Sequence, residues 1–315
     1  MGKKVLFFGD IGIDDAIALI FTYLTDKIDI VGIVADYGNV SREIAARNVR
    51  YLAGKIGKMD IKIMGGAQRS MTGEVPVYYP EIHGFHGLGP IVPPSDIPAE
   101  ELENFFGVIE IIERYKEEII IVNTGRLTSL ATMFILYGDL MKQIKSYYIM
   151  GGAFLYPGNV TPVSEANFYG DPVAANLVFK YAKNVSIYPL NVTQRAIVTP
   201  EMVNYIHSKG KTDLVKPLLD YYYDFYKKRV PNIQGSPVHD ILPLMGIMYD
   251  DMFTYYESQI LIAENGTARG QSVGDFRNFF TPENLDNRPR QRVAVNFDYN
   301  KFFKEFMTVM TKEQF

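Results

Sequence analysis

The sequence has 315 residues, 32 basic and 36 acidic, for a formal net charge of -4, with 47% hydrophobic content and no cysteine. That apolar content can fill a sizeable core without staples. The missing thiols exclude disulfides, zinc-thiolate sites, iron-sulfur clusters and a cysteine nucleophile, and no basic cluster interleaved with aromatics marks a nucleic-acid partner.

The opening stretch MGKKVLFFGD has a four-residue apolar run before its aspartate, too short for a signal-peptide core or a membrane span. A cytoplasmic protein without membrane contact is expected. Apolar β-rich runs then alternate with helix-period segments. VLFF (5–8) leads into DDAIALIFTYL (14–24), DIVGIVA (29–35) into SREIAARNVRYLAGKIG (41–57), and EIIIVNT (118–124) into LTSLATMFILYG (127–138). SYYIM (146–150) leads into PVAANLVFKYA (172–182), and VSIYPL (185–190) into TPEMVNYIHSKG (199–210). This βαβ rhythm predicts an α/β fold, a doubly wound, mostly parallel open sheet flanked by helices in the Rossmann-like manner. No long linker and no repeat of 20 to 50 residues interrupts it, so 1–315 reads as a single domain.

Three irregular stretches lie between these elements, over 65–98, 150–171 and 229–240, and the tail adds a strand, QRVAVNF (291–297), and a closing helix. Loops beyond strand ends are where open α/β sheets hold ligands. At the first strand-to-helix corner stand Asp10, Asp14 and Asp15. Asp14 and Asp15 can offset the positive end of the helix dipole, but Asp10 sits at the carboxyl end of the strand. Three carboxylates there repel one another unless a cation or protons neutralise them.

Oxygen donors alone suit calcium or magnesium. The spacing is not that of an EF-hand, because the sixth position from Asp10 is Asp15 and the twelfth is Phe21. Gly12 stands where a haloacid-type phosphatase would carry its second aspartate, and suits a tight turn instead. In GSPVHD, His239 and Asp240 adjoin a predicted helix start, where Asp240 is either a cap or a ligand. Asn159, Glu165 and Asn167 either shape a turn-rich loop before a capping Asp171 or bind a polyhydroxylated ligand such as a sugar.

Taken in order, GDIGIDDAIAL, DYGNVS, IHGFHGLG, VNTGRLTSLA, MGGAFLYPGNVTPVSEANFYGDPVAA and GSPVHD resemble the inosine-uridine-preferring nucleoside hydrolase family. The resemblance runs from the first strand to the final helix. It implies a nucleoside hydrolase fold and calcium-dependent hydrolysis of the N-glycosidic bond of ribonucleosides, giving free base and ribose. By the same resemblance Asp10, Asp15, Asp240 and the Thr124 carbonyl are the Ca2+ ligands. Asp14, Asn39, Asn159, Glu165 and Asn167 hold the ribose, with Met150 beside them. Asp10 serves as the catalytic base and His239 as the acid for the leaving group, while His83, on a mobile loop, joins Phe225 and Tyr226 around the base. A homo-oligomer, dimer or tetramer, is also implied.

The chain departs from the family pattern at three places. Phe8 replaces the first aspartate of the opening motif, a position read as a support beside the metal ligands. Asn191 replaces a usual aspartate, read as a change in metal-site tuning, and Arg126 replaces a proline. There is no tryptophan, which disfavours the branch that stacks a purine between indoles. The runner-up reading is a weak or inactive nucleoside- or ribose-binding protein on the same fold. A metal-dependent phosphohydrolase is remoter, because the motifs lack basic residues.

Overall fold

A computed structural model describes residues 2–57, 60–97, 105–277 and 287–315. Its main sheet has eight strands: β1 (Lys3–Gly9), β2 (Ile28–Ala35), β3 (Ile63–Gly65), β4 (Ile120–Asn123), β5 (Ser146–Met150), β6 (Val185–Tyr188), β7 (Phe253–Ser258) and β8 (Gln291–Phe297). They lie in the order β3-β2-β1-β4-β5-β6-β8-β7, with every pairing parallel except the antiparallel edge pair β8–β7. The predicted α/β class, the mostly parallel sheet and the late strand all stand. Pro98, at the end of the expected 65–98 loop, and 278–286 in the tail lie outside the described residues.

β1 shows why the apolar runs are continuous and not alternating. Val5 and Phe7 are buried on one face with the helix α1 (Ile13–Leu24), while Leu6 and Phe8 are buried on the other with Val34, Leu127 and Leu130. A parallel strand covered on both faces needs apolar residues at every position. β7 escaped the sequence reading for the opposite reason. It is an edge strand, FTYYES, with only Phe253 and Ser258 buried, so its charge and hydroxyls hide the pattern.

From β1 the chain winds outward to β2 and β3, then crosses back to β4 and onward. The crevice between the ends of β1 and β4 is therefore the topological switch point of the sheet, where such folds bind ligands. Asp10 follows β1 and Thr124 follows β4, so both are delivered to that crevice. Gly12 caps α1 in an extended conformation, φ -88°. Its lack of a side chain answers crowding and not an unusual turn. A Cβ there would lie 2.6 Å from His83 Nδ1 and 2.8 Å from Asn39 Nδ2.

Candidate functional site

Three carboxylates converge at the switch point. Oxygens of Asp14, Asp15 and Asp240 lie within 4.8 Å of one another, and all three side chains are buried. α1 presents Asp14 and Asp15 in its first turn, and the helix Ile241–Met248 presents Asp240 at its start. Asp15 is fixed at both oxygens, accepting from Gly12 N–H at 2.9 Å and from the Thr124 hydroxyl at 2.6 Å. Asp240 makes no side-chain cap bond to its helix, which removes the capping alternative. Asp14 Oδ1 is buried with no hydrogen-bond partner, 3.9 Å from His83 Nδ1, while Oδ2 receives a long contact from the Tyr222 hydroxyl at 3.4 Å and the Asp240 carboxyl lies close beside it.

Asp10 is buried beside this trio but turned toward Asn39, whose backbone N–H and Nδ2 donate to its two oxygens at 2.6 and 3.2 Å. The geometry thus groups Asp14, rather than Asp10, with Asp15 and Asp240. Burial, reinforced by the neighbouring acid Asp15, raises the Asp14 carboxyl to about 7. Burial also raises Asp15, and lifts Asp10 and Asp240 well above the ordinary carboxylate range, with the adjacent acids adding to it. Among the described residues none of the four forms an ion pair with lysine or arginine. Four buried acids with one orphaned oxygen and no direct ion pair to lysine or arginine, Arg126 acting on Asp10 only at a distance, are a donor set that fits a hard divalent cation.

The acids open onto a cavity of about 350 Å³. Of the site residues expected from the sequence, all but Asp10 and Asp15 line it, and those two are buried beside the acids that do. The Thr124 carbonyl accepts from Asn167 Nδ2 at 2.7 Å, and the same nitrogen reaches the Met150 carbonyl at 3.3 Å. Glu165 takes Asn167 N–H at 2.7 Å on one oxygen, and Gly152 and Phe168 N–H at 2.8 and 3.2 Å on the other. Asn159 Oδ1 accepts from Ala166 N–H at 3.0 Å. Asp171 does cap the next helix, accepting from Ala174 N–H at 3.0 Å.

Two histidines face the cavity and both are buried. His239 is held at each ring nitrogen, Nδ1 at 2.9 Å from the Thr193 hydroxyl and Nε2 at 3.1 Å from the Tyr226 hydroxyl. Burial lowers it to about 4, so it is uncharged at neutral pH and not poised near its usual value. His83 is lowered further, to about 3, by burial and by His239. It is seated on a short helix, Pro80–His83, with Nδ1 accepting from Ile13 N–H at 3.1 Å.

Tyr79, Gln194, Tyr222 and Arg229 also line the cavity and were not anticipated. The last two had a signal. Tyr222, Phe225, Tyr226 and Arg229 recur at i, i+3, i+4 and i+7 along the helix Val215–Arg229, a single stripe that a core helix and a cavity wall share.

The departures from the expected pattern resolve physically. Phe8 is fully buried on the apolar face described above and touches the site only through its carbonyl, which accepts from Thr124 N–H at 2.9 Å. It is core, not a support for metal ligands. Phe8→Asp should therefore lower stability by about 3–5 kcal/mol from lost packing alone, before the cost of an unpaired charge. A urea melt reads this. A variant as stable as the parent that binds calcium more tightly would return position 8 to the site. Asn191 likewise sits off the acid cluster, with Oδ1 accepting from Phe154 N–H at 3.0 Å and Nδ2 donating to Phe154 O at 2.8 Å. An aspartate could accept but not donate, so the amide fastens this loop and does not tune the metal.

Among the described residues no helix is long and apolar enough to cross a membrane. The family model for inosine-uridine preferring nucleoside hydrolase matches residues 5–304. A probable uridine nucleosidase 2 of Arabidopsis thaliana is 31% identical over 303 residues, covering 94% of each chain. The pyrimidine-specific ribonucleoside hydrolase RihA of Escherichia coli O9:H4 (strain HS) is 30% identical over 311 residues, covering 96% of each. Among solved structures, a plant nucleoside hydrolase superposes with a TM-score of 0.91 at 26% identity, covering 99% of this chain and 100% of that one. A purine-preferring ribonucleoside hydrolase from Gardnerella vaginalis gives 0.90 at 26% identity, covering 98% of each.

Proposed function

The chain belongs to the inosine-uridine preferring nucleoside hydrolase family and is a hydrolase acting on N-glycosyl compounds, and from that premise we propose that it splits ribonucleosides into base and ribose in a calcium-dependent reaction. By the family resemblance Asp10, Asp15, Asp240 and the Thr124 carbonyl would hold the ion, with Asp14, which packs closest to Asp15 and Asp240, beside it. The observation that carries this reading is the buried acid cluster opening onto a cavity walled by amides and histidines. A single domain over 1–315 and a cytoplasmic location belong to the same reading and rest on the sequence pattern, and a homo-oligomer rests on the family resemblance. Pyrimidine ribonucleosides such as uridine stand first among substrates, on the names of the relatives and the absence of tryptophan.

When bound, a divalent cation supplies the charge that keeps these acids ionised and acidifies water in the site. Asp10 takes the proton of the attacking water, and its contacts with Asn39 aim it. Asn39, Asn159 and Asn167 orient the sugar hydroxyls, and Met150 packs beside the ring. Cleavage leaves positive charge on the ribose, so the carboxylates of Asp14 and Glu165 favour the transition state over the neutral substrate. The departing base needs a proton. His239, neutral but hydrogen-bonded to the Tyr226 hydroxyl, forms with it a two-member path that passes on a proton taken up from solvent, the imidazole gaining one proton as it gives up another and returning to its neutral form.

His239→Ala should slow natural ribonucleosides by about 10²–10⁴, the usual worth of general acid help, yet barely slow nitrophenyl riboside, whose leaving group departs unprotonated. Steady-state rates on both substrates decide it. Equal losses would make His239 a support for the Asp240 loop and not part of the proton path.

A further inference from the structure

Arg126 replaces the proline expected after Thr124-Gly125 and takes no part in the chemistry above. It is only 6% exposed. Its guanidinium carbon lies 4.7 Å from the centre of the Tyr37 ring, and Nη2 donates to the Val77 carbonyl at 3.2 Å. Among the described residues it has no carboxylate partner within ion-pair distance. A guanidinium is buried at a cost unless its charge and donors are answered, and here a ring face, a carbonyl and the more distant carboxylates of Asp10 and Glu165 answer them.

Val77 belongs to the stretch between β3 and the short helix Pro80–His83, and that stretch is largely exposed, Val75 at 84% and Val77 itself at 64%. Immediately beyond it, Tyr79 and His83 face the cavity. Tyr79 reaches the body of the fold through a long backbone bond, its N–H to Asn39 O at 3.3 Å, whereas His83 is held by Gly89 N–H to its carbonyl at 2.8 Å and by Ile13 N–H to its Nδ1 at 3.1 Å. Behind the guanidinium lies Gly170. A Cβ at Gly170 would stand 2.3 Å from Arg126 Nε and 2.7 Å from its Cδ. The backbone at 170 is outside the left-handed region, so only the arginine demands glycine there.

We propose that Arg126 is a positioning residue for the hydrolase: it clamps Val77 so that Tyr79 stands as a wall of the cavity beside the separately fixed His83, and Gly170 is the space that the clamp occupies. The role rests on the ribonucleoside reading above. A planar fork that stacks and donates at once is specific to arginine, so lysine does not substitute for it.

The test uses the full chain with calcium and compares Arg126→Ala, Arg126→Lys, Gly170→Ala and the Arg126→Ala/Gly170→Ala pair. Loss of one hydrogen bond from a charged donor should raise KM about 10-fold, with kcat within about 3-fold. Amide exchange over 77–83 should quicken in parallel. Gly170→Ala should reproduce both effects by displacing the guanidinium, Arg126→Lys should not escape them, and the double variant should be no worse than Arg126→Ala. Unchanged KM and unchanged exchange in Arg126→Ala, or additive losses in the pair, would overturn the clamp. If Arg126→Ala does not fold, Gly170→Ala still decides, because unchanged exchange there would refute the crowding. A parent that hydrolyses no ribonucleoside would refute the functional reading instead, while exchange over 77–83 would still judge the clamp.

Discussion

Asp10→Ala is expected to lower kcat by about 10²–10⁴ through loss of proton transfer alone, and further wherever the metal site weakens with it. Asp10 is the one acid of the four that stands both at the end of β1 and in contact with Asn39, at 2.6 Å to its backbone nitrogen. Removing it strips a carboxylate from the metal site and the base from the reaction. Calorimetric titration with calcium separates the two losses, since Asp15 and Asp240 remain. The parent's affinity should also depend on pH. Burial makes these acids hold protons, with Asp14 raised to about 7, and a cation must displace those protons. Affinity should therefore rise as pH increases through about 7 and fall in acid. Wild-type turnover in Asp10→Ala, or affinity that strengthens as pH falls, would contradict these assignments.

The second large effect is discrimination at the sugar. Ribonucleosides should exceed their 2′-deoxy counterparts in kcat/KM by about 10⁴, because a buried site built to hydrogen-bond a hydroxyl leaves its own groups unpaired when the hydroxyl is missing. The orphaned Asp14 Oδ1 is such a group, with no protein partner to fall back on. Asn39 and Asn167 are already engaged, with Asp10 and with the Thr124 and Met150 carbonyls, so the site is organised before substrate arrives. Comparable constants for uridine and deoxyuridine would remove the ribose-holding roles of Asp14, Asn159 and Asn167.

How legible each part was depended on whether one stretch of chain carried the whole signal. β1 and the start of α1 were readable because strand, turn and acids are contiguous, and the fold keeps them contiguous at the switch point. Asp240 was ambiguous from sequence, since an acid at a helix start is commonly a cap; only its missing cap bond and its distance to Asp14 and Asp15 resolve it. Phe8 was misread because motif position was taken for proximity to the metal, whereas the pleat turns its side chain into the apolar face. His83, expected on a mobile loop, is buried and accepts a hydrogen bond from Ile13 seventy residues away, a contact no local pattern announces. Tyr222 and Arg229 were hidden by degeneracy, because a stripe of aromatics at helical spacing looks the same whether it faces a core or a cavity.

The account stands most directly on one measurement: release of free ribose from a panel of ribonucleosides by the purified chain, with chelator and after calcium is restored. Stoichiometric ribose and base, lost with chelator and regained with calcium, are the result this account expects. Saturable nucleoside binding with no ribose released at full calcium occupancy would contradict it.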